Sequence, residues 1–269
     1  MSRDDEPEEP QRADDHDDEH DDEHADEHAE DAPASGDLVL PSKTARRDAI
    51  AACVSVTVAT ALVMSYAFAP ENAGSPGMLG AIFGLDLAVA IVSLARLHRT
   101  GELRAVMRLR PGDIWLGGML AGLMYGGAMA GHLVLTPHLS PREGWIMRLY
   151  LQLGDPRGEG RELVGLAVFV VASLEEIAWR GLVMRALVPV TGGARALVIS
   201  SALFALAHAP TLWLLGDPVA GPNPLIVLAA LCCSVIWGGL MLRTRRLVPS
   251  IVAHALFSWA IVEFPIWRL

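Results

Sequence analysis

The chain has 269 residues, of which 52% are hydrophobic, a mean hydropathy of +0.36 and a formal net charge of −10. That charge is local: residues 1–36 hold 17 Asp/Glu against two Arg, a net of −15, whereas residues 37–269 carry a net of +5. The second part is built from apolar runs near 20 residues, which excludes an ordinary soluble domain and predicts an all-α polytopic membrane bundle of about seven transmembrane helices.

Residues 1–42 read as a disordered, solvated tail and residues 43–269 as the membrane-embedded domain. The start is acidic and has no early apolar segment, so it does not read as a signal peptide. Within the tail, His16, His20, His24 and His28 recur every fourth residue among carboxylates. On a helix they would share one side and bind a divalent ion weakly; as low-complexity sequence they need no ligand. Basic residues Lys43, Arg46 and Arg47 precede a first apolar run at about 50–69, and a second at about 78–97 contains Asp86, read as a lone paired acid. Arg96, Arg99, Arg104, Arg108 and Arg110 follow. The third run, about 114–135, carries Gly118, Gly122 and Gly126, with Gly127 and Gly131, at a spacing that suits close helix contact in lipid. After a mixed polar stretch come runs at about 163–187, 196–215, 225–242 and 248–267. Cys53, Cys232 and Cys233 all lie inside apolar runs and read as packing residues. The Lys/Arg distribution places the N-terminus in the cytoplasm. An Ala/Arg/Gly-rich composition suggests a bacterial cytoplasmic membrane. The bilayer is the expected surroundings, and no nucleic-acid partner is expected.

The fourth run contains Glu175, Glu176 and Arg180. Ionisable groups at such depth are costly and are functional candidates by default. Glu176 and Arg180 are four apart and share a helix face, whereas Glu175 is turned about 100° away and has no partner in its own helix. In the fifth run Phe204 and His208 are four apart; in the seventh, His254 and Ser258 are. These residues sit at compatible depths. A carboxylate in an apolar site serves as general base toward water, imidazoles hold the water or donate to an oxyanion, and Trp179, one turn beyond Glu175, excludes solvent. Glu175, His208 and His254 also make a Zn²⁺ ligand set with an open position, so metal-free and Zn²⁺-dependent hydrolysis both stand at this point. Asp86, the Glu pair and the His-rich tail suit an ion or metal transporter as well.

The ordered set Glu-Glu-x-x-x-Arg (Glu175, Glu176, Arg180), Phe-x-x-x-His (Phe204, His208) and His-x-x-x-polar (His254, Ser258) resembles the CPBP family of intramembrane endopeptidases, also called the ABI family. That family includes CAAX prenyl proteases and bacteriocin-processing or immunity proteins. The resemblance covers roughly residues 160–262. It implies that Glu175 activates the attacking water with help from His208, that Glu176 and Arg180 support the site, and that His254 with its partner stabilises the oxyanion. It implies a membrane-anchored or lipidated protein or peptide as substrate and a glutamate mechanism without a resident metal. The family's third motif usually ends in Asn. Ser258 keeps a donor and an acceptor there but loses reach and the amide donor pair. A non-catalytic scaffold or immunity protein of the same family is the alternative.

Overall fold

The structure is a computed structural model and describes residues 42–154 and 160–266. The acidic tail, with His16, His20, His24 and His28, lies outside the described residues.

The described residues form a helical bundle. Helix α1 (Lys43–Ala67) starts where the Ser42 hydroxyl accepts the Ala45 amide at 3.1 Å, satisfying one free helix donor. Helix α2 (Pro76–Arg99) starts the same way on Ser75, with proline at its first position. A single turn, α3 (Leu103–Val106), leads to α4 (Asp113–Leu135). Then come α5 (Glu143–Gln152) and α6 (Arg161–Ala178). A π-helical segment, Trp179–Met184, continues α6 into α7 (Arg185–Thr191). The remaining helices are α8 (Gly193–Ala207), α9 (Thr211–Leu214), α10 (Leu225–Thr244) and α11 (Val248–Glu263).

Among the described residues four helices, α1, α2, α4 and α10, are long and apolar enough to cross a membrane. The π-segment runs α6 straight into α7, while α8 and α11 have 15 and 16 residues, less than the roughly 20 a perpendicular span needs. The outer faces of α1 and α4 are apolar: Leu62, Leu123 and Leu133 are all exposed, as a lipid-facing surface requires.

Two local features depart from the pattern of runs. The run at 196–215 is not one helix. Pro210 cannot donate an amide and disfavours helix in the residue before it, so α8 stops at Ala207 and the chain turns at His208. The freed His208 carbonyl accepts the Thr211 hydroxyl at 2.8 Å. The mixed stretch between the third and fourth runs holds α5, whose Tyr150 hydroxyl donates to the Ile261 carbonyl at 3.0 Å.

The glycine spacing on α4 marks the wrong stripe. A Cβ at Gly122, Gly126, Gly127 or Gly131 would meet nothing within 4 Å, and one at Gly118 would only touch Leu256 at 3.9 Å. The close approach is at Gly117, where a Cβ would lie 2.7 Å from Val252 and 2.8 Å from the Pro249 carbonyl of α11. The period of four identified a small-residue helix correctly, but α4 turns the rest of that surface outward.

Candidate active site

The π-segment is the centre of the bundle. All six of its residues are buried, with α1, α2, α6, α7, α8 and α10 packed around it. A π-turn carries an extra residue per turn and recurs at functional sites. Gly181 lets α2 come close: a Cβ there would lie 2.6 Å from the Ser93 hydroxyl, which donates to the Ile177 carbonyl at 2.8 Å.

Glu176 is fully buried, and Arg180, 2% exposed, meets its Oε1 at 2.9 Å. This is the i, i+4 pair expected from the spacing. Arg180 is then tied to α10, where its Nη2 donates to the Ser234 carbonyl at 3.1 Å and to the Ser234 hydroxyl at 2.9 Å. The Ser234 hydroxyl donates in turn to that of Ser201 at 3.1 Å. The guanidinium also lies 5.2 Å from the ring centre of Phe204 and 5.5 Å from that of Trp237, which adds cation–π attraction on both sides.

His254 of α11 reaches both carboxylates. Its Nδ1 is 3.0 Å from Glu176 Oε1 and its Nε2 is 3.6 Å from Glu175 Oε2. Because Glu176 is held by Arg180 as an acceptor, the geometry assigns the Nδ1 proton to this contact and turns Nε2 toward Glu175. The imidazole lies flat on Trp237, with ring centres 3.6 Å apart and 22° between planes.

His208 owes its position to the end of α8. Its amide bonds the Ala205 carbonyl at 3.1 Å, which frees the Phe204 carbonyl, and the ring Nδ1 takes that carbonyl at 2.7 Å. Nε2 is thereby left as the acceptor nitrogen of a neutral ring. The Phe204 ring sits 4.6 Å from the imidazole and 5.1 Å, edge-on, from Trp179. Trp179 is buried as expected, and its indole N–H has no partner among the described residues.

Ser258 is half-buried, one turn beyond His254, and its hydroxyl makes no hydrogen bond among the described residues. Both ring nitrogens of His254 instead face the Glu pair. Asp86, read from the sequence as a lone paired acid, shows no such pair among the described residues. It is buried on the face of α2 that packs on α6, close enough to Glu175 for their charges to interact, with no hydrogen bond or ion pair among the described residues. Trp237, Ser234 and Ser201 were missed; each is ordinary in a membrane helix until the fold places it against His254 or Arg180.

Glu175, His208 and His254 are the Zn²⁺ ligand set that the sequence offers. Among the described residues no group of three or more His, Cys, Asp or Glu side chains is arranged to hold a metal ion. His208 directs Nδ1 to its own helix and His254 directs Nδ1 to Glu176, which leaves Nε2 of each ring as the nitrogen that would face a ligand.

Residues 162–260 match the family model described as "Rce1-like: Type II CAAX prenyl endopeptidase Rce1-like". Comparison with curated proteins and with solved structures found no match. The matched residues take in α6, the π-segment, α7, α8, α9, α10 and most of α11, and therefore every motif residue from Glu175 to Ser258. Residues 162–260, 99 of the 269, thus match the CPBP/CAAX protease family.

Proposed function

We propose that the protein is an intramembrane endopeptidase that hydrolyses a peptide bond of a membrane-anchored or lipidated protein, with Glu175 as the general base. The observation that carries this reading is the placement of His254 between two unlike carboxylates. Glu176 is neutralised by Arg180 and fixes the ring; Glu175 has no arginine and faces the free nitrogen at 3.6 Å. That separation is longer than a direct hydrogen bond and suits a shared water.

In this reading Glu175 takes a proton from the water as its oxygen attacks the scissile carbonyl, and His208 holds the water through Nε2. In this step His254 acts protonated on both nitrogens, donating Nδ1–H to Glu176 and Nε2–H to the oxygen of the tetrahedral intermediate, with Trp237 holding the ring plane. The proton on Glu175 then passes to the leaving amine. No step needs a metal ion. Substrates would enter near the end of the bundle that carries the ends of α2 and α10, which the arginine distribution assigns to the cytoplasm together with the N-terminus.

The test is a comparison of protein termini in membranes from cells carrying the natural chain or Glu175→Gln at equal abundance. The reading expects at least one new terminus in a membrane-anchored protein to vanish in the variant. A cut that depends on the protein but persists in Glu175→Gln would remove Glu175 as the base. Metal or proton flux through proteoliposomes with no such cut would favour a transporter.

A further inference from the structure

The arginine-rich end of the bundle contains a cavity whose wall includes none of Glu175, His208 and His254. It has a volume of about 670 Å³, within the range of small-molecule sites, and lies between the end of α2, α3, the π-segment, α7 and the end of α10. Three arginines line it: Arg96, Arg185 and Arg245. Arg185 is ion-paired with Glu102, also in the wall. Arg96 and Arg245 have no ion pair or side-chain hydrogen bond among the described residues. The cavity therefore carries two uncompensated positive charges.

The rest of the wall is mostly apolar, including Leu97, Val188 and Leu242. A cationic rim over apolar walls, at the ends of membrane helices, has the chemistry of a phospholipid site rather than of a soluble anion site. The backbone supports a role for one of the arginines. Arg245 caps α10 at φ 57°, in the left-handed region where glycine is favoured. A glycine would relieve that conformation; Arg245 instead places a long cationic side chain at the cavity wall.

We propose that this cavity binds the phosphate headgroup of an anionic phospholipid, with Arg96 and Arg245 as the phosphate ligands and the apolar walls against the upper acyl chain. The site is separate from the Glu175 centre, although Gly181, next to Arg180, forms part of its floor. The proposal does not depend on the peptidase reading.

The experiment uses the purified full chain in a neutral detergent. Phosphatidylglycerol, phosphatidylcholine and inorganic phosphate are titrated separately, with binding read by native mass spectrometry and by the shift in unfolding temperature. Variants are Arg96→Gln, Arg245→Gly, the double variant, and Arg99→Gln, which changes an exposed arginine outside the cavity wall. Arg245→Gly suits the local backbone, so a binding loss there does not come from misfolding. The expected result is saturable binding of phosphatidylglycerol alone, weakened about fivefold by each cavity variant and about thirtyfold by both, with Arg99→Gln unchanged. Equal binding by the double variant and the natural chain overturns the site. Equal weakening by Arg99→Gln reduces it to a general surface attraction, and equal affinity for inorganic phosphate overturns the lipid.

Discussion

Glu175 and Glu176 are adjacent, yet the helix turns them to different neighbours. Glu176 shares its Oε1 between Arg180 and His254 in a fully buried pocket, while Glu175 faces the other nitrogen of His254. Removing one member of a buried ion pair leaves the other charge uncompensated, at a cost of about 3–5 kcal/mol. Arg180→Met is therefore expected to lower stability by that amount, read as a clear fall in the unfolding temperature in detergent. No fall would mean that the Arg180–Ser234 contacts carry nothing. Asp86→Asn keeps the volume and removes no hydrogen bond or ion pair found among the described residues, so its unfolding temperature should hold or rise. A loss of several degrees would show a partner for Asp86 that the geometry does not. The Glu176–Arg180 pair was legible from spacing alone. Asp86 was not, because its importance comes from a helix 89 positions away in the chain folding against Glu175.

The elements show where the period of a sequence is informative and where it stops. Apolar runs located α1, α2, α4 and α10 closely, since lipid demands length and hydropathy together. The break at His208 was visible in Pro210 but was overridden by the continuous apolar composition around it. That break is what allows the imidazole to take the Phe204 carbonyl. Glycine spacing found the right helix and the wrong face. The contact with α11 is at Gly117, so Gly117→Ala should cost about 1–3 kcal/mol by overpacking against Val252 and Pro249. Gly126→Ala, with open space around it, should stay within about 0.5 kcal/mol. Equal effects in thermal unfolding would mean that the α4–α11 approach is not what limits side-chain size there.

At the scale of the whole molecule, charge is polarised along the bundle. Arg243, Arg245 and Arg246 link α10 to α11, and five arginines between positions 96 and 110 link α2 to α4, at the same end. Two contacts close this end: Arg246 pairs with Asp113, and the Leu247 amide bonds the Val106 carbonyl at 2.9 Å. The opposite turn at 70–76 carries no lysine or arginine. With this end in the cytoplasm, Glu71→Cys should react with a membrane-impermeant thiol reagent in intact cells and Leu109→Cys only after lysis; the reverse pattern would invert the orientation. The basic flanks made this reading possible from sequence. The way α11 delivers His254 to both carboxylates was not readable there, because it depends on how α4 and α6 together grip that helix.

In the proposed mechanism the two glutamates divide the labour, Glu175 as the base and Glu176 as the partner of Arg180. The decisive measurement is turnover of a peptide spanning the cut that the comparison of termini finds, by purified natural chain, Glu175→Gln and Glu176→Gln, each with its unfolding temperature. The account predicts that Glu175→Gln loses at least about 100-fold in turnover with its unfolding temperature kept. Glu176→Gln should instead lose stability, since Arg180 is left unpaired. If Glu175→Gln still turns over within a few-fold of the natural chain, the base lies elsewhere and the central claim fails.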